Sequence, residues 1–200
     1  MGRTGSGYSG EETVDRMSMD ETLGTARTSE VLDPSFVEGI DSAPIEDVRR
    51  RRDIAVLERD FQSYLRRLIQ TNHDLLAGEQ RRRATGAGQR SVVERVKDAL
   101  SEPSGTAPRT SARGEAMLVR LASEDLEVAD SIASGLAAPA VVASPESLDD
   151  RQLDETIRSL ERAEHVVSAN RGAVFQVHDR LQDEIKRRYL EDPTLIPSDV

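Results

Sequence analysis

Residues 45–77 read IEDVRRRRDIAVLERDFQSYLRRLIQTNHDLLA, a run with no glycine or proline. Such a stretch of charged and aliphatic residues favours helix, and signals of the right kind stand at both ends. Glu46 and Asp47 suit the positive end of a helix dipole, Pro44 is tolerated in a first turn, and Ser42 is placed to cap it. Arg81, Arg82 and Arg83 suit the negative end, and Gly86 and Gly88 terminate the element. The expected helix covers 44–84 and, at about 1.5 Å per residue, is a rod of about 60 Å. Ile54, Leu57, Phe61, Tyr64, Leu68, Thr71 and Leu75 alternate three and four apart along it, the spacing of a coiled-coil seam.

A second rod is expected over 147–190. Asp149 and Asp150 stand in its first turn, Lys186, Arg187 and Arg188 in its last, and Asp192-Pro193 stops it. Ala163, Val166, Ala173, Val177, Leu181 and Ile185 give it an apolar face. Either relative direction of the rods is sterically open, and an antiparallel pair within one chain is the simplest arrangement. The expected fold is therefore all-α, with a monomer built on an intramolecular antiparallel coiled coil. A connector over 85–146 adds short helices: Ser91-Val92-Val93-Glu94 has the capping-box pattern for one reaching about Leu100, and Met117–Leu136 holds another. Residues 1–31 carry too few apolar side chains to offset the entropy of ordering and are expected to be a disordered acidic tail. The helical domain spans 32–190 and opens on Asp33-Pro34-Ser35-Phe36-Val37, a short turn closed by Gly39 that lays Phe36 on the first rod. Residues 191–200 form a C-terminal tail.

Composition narrows the function. Only 36% of the residues are hydrophobic and tryptophan is absent, too little bulky apolar material for a sandwich or barrel core. The chain contains no cysteine, which excludes disulfides, thiolate metal sites and a cysteine nucleophile. Without a signal-type or membrane-spanning apolar run, it reads as cytoplasmic. The net charge of −10 argues against direct DNA binding, and the basic residues of 44–83 suit the acidic final segment or an acidic partner instead. Gly86-Ala87-Gly88-Gln89-Arg90-Ser91 follows a helix and lacks the Lys-Ser/Thr ending of a phosphate loop. His73, His165 and His178 show no metal-ligand spacing, and no Ser, His and Asp constellation supports catalysis, so neither a metal site nor an enzyme is expected.

The most informative feature is an internal repeat on the polar faces. Arg59, Ser63, Arg66, Gln70 and Asp74 in the first rod, and Glu164, Ser168, Arg171, Phe175 and Asp179 in the second, share the spacing four, three, four, four. At 100° per residue, each set falls within about 80° of arc and forms one stripe. A single stripe of this kind is ordinarily a solvated face with i,i+4 pairs; two at the same spacing, each beside an apolar face, point to a shared role. Arginine offers a planar fork for guanine O6 and N7 or for phosphate, aspartate accepts from guanine N1–H and N2–H, and serine completes a phosphate contact. Two such stripes suit a two-fold symmetric guanine ligand.

The pair of stripes resembles the Glu-x3-Ser-x2-Arg-x3-Gln-x3-Asp repeat of the RsiG family, actinobacterial anti-sigma factors that bind cyclic di-GMP and sequester the sporulation sigma factor WhiG. The flanks are similar too: Val31-Leu32-Asp33-Pro34-Ser35-Phe36, Ser63-Tyr64-Leu65-Arg66-Arg67-Leu68-Ile69-Gln70, Gln89-Arg90-Ser91-Val92-Val93-Glu94-Arg95-Val96, and the run from Leu181 to Tyr189. The resemblance covers about residues 31–190. It implies a nucleotide held between the first and last helices as a dimer of two molecules, and a ligand-loaded protein that grips a sigma factor. The short helix near Ser91–Leu100 and the rod surfaces away from the ligand are the expected sigma contacts. Two positions depart from the pattern: Arg59 stands in place of Glu and Phe175 in place of Gln. An extra guanidinium favours a dianionic ligand, and the Phe175 ring offers a stacking surface without the amide's hydrogen bonds. The alternative reading is a coiled-coil adaptor that has lost nucleotide sensing.

Overall fold

The computed structural model describes residues 23–86 and 121–197. Its elements are α1 (Ala26–Leu32), a 3-10 turn (Pro34–Val37), α2 (Ile45–Ala84), α3 (Ser123–Leu136), α4 (Pro139–Ala143), a 3-10 turn (Pro145–Ser147), α5 (Asp150–Glu191) and a last 3-10 turn (Pro193–Leu195). Among the described residues there is no strand, and no helix is long and apolar enough to cross a membrane. α2 and α5 are the two rods, within three residues of the expected limits at every end. The starts differ in detail from the sequence reading. Ser42 does not cap α2; its hydroxyl donates to Gly39 O, and Pro44 occupies the cap position with no side-chain bond. α5 is capped reciprocally by Asp149 and Gln152. The expected helix near Ser91–Leu100 lies outside the described residues.

The rods run antiparallel: Arg52 meets Gln182, Arg66 meets Ser168, Gln80 meets Asp154 and Arg83 meets Asp150, so numbers rise on one helix as they fall on the other. The contact seam of α2 is not the one expected. Leu57 and Leu75 are substantially exposed, and Tyr64 and Leu68 are half-buried. The buried line runs instead through Ala55, Glu58, Gln62, Leu65, Ile69 and Leu76, again three and four apart apart from the last step. Phe61 belongs to both lines, while the expected seam is the shoulder on which α3 packs, bringing Ala129 and Ala133 into the interior. On α5 the buried line is Leu153, Ile157, Leu160, Ala163, Val167, Val174, Leu181 and Ile185.

The tail expected to be disordered over 1–31 is helical from Ala26 onward, and residues 1–22 of that expectation lie outside the described residues. Thr25 and Thr28 cap α1 reciprocally, Val31 is fully buried, and Phe36, Val37 and Ile40 continue onto Val48, Ala55, Val174, Leu181 and Ile185. Gly39, at φ 64°, supplies the left-handed residue that turns the chain into α2. Under α1 lies a polar cluster inside the bundle. Glu58 accepts from Arg27 Nε at 3.0 Å, Thr28 Oγ1 at 2.6 Å and Gln62 Nε2 at 2.9 Å, and Arg27 reaches on to Asp125 of α3 at 2.9 Å. One ion-pair chain thus ties α1, α2 and α3 together.

Both ends of the bundle are closed in the same way. Glu79 holds Arg82 and Arg83, and Arg83 donates to the carbonyls of Pro145 and Leu148 on the chain entering α5. Glu184 holds Arg187 and Arg188, and Arg188 donates to the carbonyls of Ile40 and Ala43 on the chain entering α2. Hydrogen bonds from Arg82, seconded by Arg83, pull Glu79 down to about 2, and Arg187 with Arg188 does the same for Glu184. A carboxylate with a folded value below its unfolded one adds stability above about pH 4.5 and loses it as pH falls towards 2. The thermal midpoint is therefore expected to drop between pH 4.5 and pH 2, and to drop less in Glu79→Gln/Glu184→Gln. Equal slopes for the two proteins would show that the clamps are not the acid-sensitive element.

Candidate functional site

The two stripes come together along one face of the α2–α5 pair. Arg66 Nε donates to Ser168 Oγ at 2.8 Å and to Glu164 Oε1 at 2.8 Å; Arg171 Nε donates to Ser63 Oγ at 3.0 Å. Each serine passes its own proton one turn back, Ser168 to Glu164 Oε1 at 3.0 Å and Ser63 to Arg59 O at 2.7 Å. The Arg–Ser contacts are thus exchanged by a local two-fold between the helices, which follows from antiparallel packing of two copies in equivalent register. Nε faces the protein in both arginines. No hydrogen bond from their Nη atoms to another described residue is present, so the outer edge of each fork is left for a ligand.

The two departures from the repeat are partners of one another. In the first half Gln70 Nε2 donates to Glu164 Oε1 at 3.2 Å. The local two-fold carries that pair onto Arg59 and Phe175, and the Arg59 guanidinium lies 5.7 Å from the Phe175 ring centre, with Arg171 on the same ring at 4.7 Å. A carboxylate–amide contact in one half has become a cation–aromatic contact in the other. Arg59 is also paired with Asp60 at 3.0 Å. Burial pushes the Glu164 carboxyl up, but the hydrogen bond from Ser168 and the Arg66 guanidinium outweigh it and hold the group below the usual carboxylate range.

Asp74 and Asp179 do not touch the arginines. Each stands at the exposed rim one turn beyond the network, 81% and 70% exposed, beside His73 at 3.4 Å and His178 at 3.1 Å. At the first end Gln70, His73, Asp74, Glu161 and Glu164 line a recess of about 500 Å³. Glu161 and the histidines were not among the sequence-derived site residues. His73-Asp74 and His178-Asp179 repeat in the same register as the stripes, as do Glu79 with Arg82-Arg83 and Glu184 with Arg187-Arg188, so extending the repeat comparison past the aspartates finds them. Among the described residues no group of three His, Asp or Glu side chains is arranged to hold a metal ion.

The arrangement suits an anionic ligand with an internal two-fold: two outward guanidinium forks for phosphate or the O6/N7 edge of a purine, and acceptors at the rim for N–H donors. No family model matches the chain, and neither does a curated protein or a solved structure.

Proposed function

We propose that the chain is a non-catalytic anti-sigma factor that binds cyclic di-GMP on the shared face of α2 and α5 and, so loaded, sequesters a sigma factor of the WhiG type. The observation that carries the ligand reading is the exchanged pair Arg66–Ser168 and Arg171–Ser63, whose outer Nη edges are free. Holding Nε by a serine fixes the plane of each guanidinium before the ligand arrives, which lowers the entropy lost on binding. The sigma-factor reading rests on the resemblance of the stripes and their flanks. Linkage supplies the mechanism: a ligand that prefers the sigma-competent form strengthens sigma binding by the same coupling free energy with which sigma strengthens ligand binding.

The adaptor reading has one observation of its own: Arg59 and Arg171 both pack on Phe175, so this half of the site is satisfied without a ligand. Titration calorimetry of the full chain with cyclic di-GMP and cyclic di-AMP separates the two. Saturable binding of the guanine ligand, with capture of a WhiG-type sigma factor that increases on adding it, is the expected result. A folded chain that binds neither dinucleotide, alone or with sigma factor present, would favour the adaptor.

A further inference from the structure

The two halves of the site are unequal, and the inequality bears on which bases they accept. In the first half three carboxylates, Asp74, Glu161 and Glu164, line the recess together with the Gln70 amide and His73. Glu164 receives all its hydrogen bonds on Oε1, from Arg66, Ser168 and Gln70, and its Oε2 has no hydrogen-bond partner among the described residues. That oxygen is an acceptor beside the Arg66 fork. The equivalent positions in the second half are Asp179 for Asp74, Val56 for Glu161, Arg59 for Glu164 and Phe175 for Gln70. Three acceptor-bearing side chains are thus replaced by an aliphatic group, a donor-only cation and a ring; Asp74 and Asp179 are matched, each exposed with one oxygen against its neighbouring histidine, so the difference between the halves lies in the other three positions.

Guanine presents two donors, N1–H and N2–H, at the edge a carboxylate reads, and adenine presents the lone pair of N1 there, which a carboxylate repels. The first half therefore distinguishes the two purines. Apart from the exposed rim carboxylate Asp179, the second half offers Arg171 and Arg59 to phosphate and the Phe175 ring to the flat face of a base, contacts that every purine makes equally well. Building on the cyclic-dinucleotide reading above, we infer that this site requires guanine in one half only, and that its ligands extend to cyclic dinucleotides pairing one guanine with one adenine. Arg59, Val56 and Phe175 are the residues that relax the second half; their counterparts Glu164, Glu161 and Gln70 enforce the first.

The test is calorimetric titration of the full chain with cyclic di-GMP, 3′,3′-cyclic GMP–AMP and cyclic di-AMP. The mixed ligand is expected to bind within about fivefold of cyclic di-GMP and cyclic di-AMP at least about tenfold more weakly, the loss expected for hydrogen bonds to a charged acceptor left unmade. Arg59→Glu/Phe175→Gln, which gives the second half the residues of the repeat, is expected to weaken the mixed ligand at least about tenfold relative to cyclic di-GMP while wild-type helicity is retained. Cyclic di-GMP binding with the mixed ligand rejected as strongly as cyclic di-AMP would overturn this inference and leave the site reading standing. Equal binding of all three would also overturn it, since neither half would then read a base. Binding of none would overturn the cyclic-dinucleotide site itself. A double variant with an unchanged ratio between the mixed and two-guanine ligands would remove Arg59 and Phe175 as the determinants.

Discussion

Glu58→Ala is expected to lower the unfolding free energy by about 2–4 kcal/mol, because two fully buried donors, Thr28 and Gln62, lose a charged acceptor and a cavity is left. Glu58 is fully buried in the middle of α2 and accepts from Arg27, Thr28 and Gln62, of which Thr28 and Gln62 are themselves fully buried. Alanine leaves a cavity and takes the charged acceptor from the Thr28 hydroxyl and the Gln62 amide, while Gln62 Nε2 keeps Thr28 Oγ1 at 3.2 Å and Arg27 keeps Asp125 at 2.9 Å. A small helical domain has about 5–15 kcal/mol in all, so a large share of the stability depends on this carboxylate. Glu58→Gln keeps the volume and one acceptor and is expected to cost about 1–3 kcal/mol. Replacing the cluster together, as Thr28→Val/Glu58→Leu/Gln62→Leu, removes the stranded donors and leaves Arg27 to Asp125; it is expected to be close to neutral or stabilising, because apolar packing avoids the desolvation of the charges. Urea unfolding followed by circular dichroism ranks the three. A Glu58→Ala midpoint indistinguishable from wild type would mean that α1 does not close over this face.

The same residue explains where sequence reading went astray. The lengths of the rods are legible because absence of glycine and proline and the charges at the ends are local signals, and α2 and α5 obey them, whereas their antiparallel sense rests only on being the simpler of two open arrangements. The seam is a tertiary property. On α2 its central positions are Glu58 and Gln62, polar residues that an apolar period cannot select, while Leu57, Tyr64, Leu68 and Leu75 line the neighbouring shoulder with the right spacing. α1 escapes the sequence reading for a related reason: it is only seven residues long, and what orders it lies partly in distant groups, the carboxylate of Glu58 and the apolar cluster that buries Val31. The stripes were legible because a repeat is detectable without knowing the fold. What it could not reveal is the pairing of its two exceptions, since Arg59 and Phe175 meet only once the helices are laid antiparallel.

Arg66→Ala/Arg171→Ala is expected to reduce cyclic di-GMP affinity by a factor of about a hundred or more while the fold is kept, because removing a hydrogen-bonded cation from a binding site typically costs 2–5 kcal/mol. Stability is expected to change little. Arg66 is 36% exposed, and the carboxylate it leaves behind, Glu164 at 28%, remains in contact with solvent and keeps its bonds from Ser168 and Gln70. The single variants need not match, since Arg66 works beside acceptors and Arg171 beside Phe175 and Arg59. Lysine at both positions discriminates further. It preserves the charge, and with it the dependence of affinity on salt, but lacks the planar fork and cannot keep a nitrogen on serine while two others face the ligand. Arg66→Lys/Arg171→Lys is therefore expected to retain a salt-sensitive attraction to anionic dinucleotides at reduced affinity, and to keep the preference for guanine over adenine that the recess carboxylates confer. If lysine abolished the preference, the planar forks of Arg66 and Arg171, and not the carboxylates of the recess, would be what reads the base.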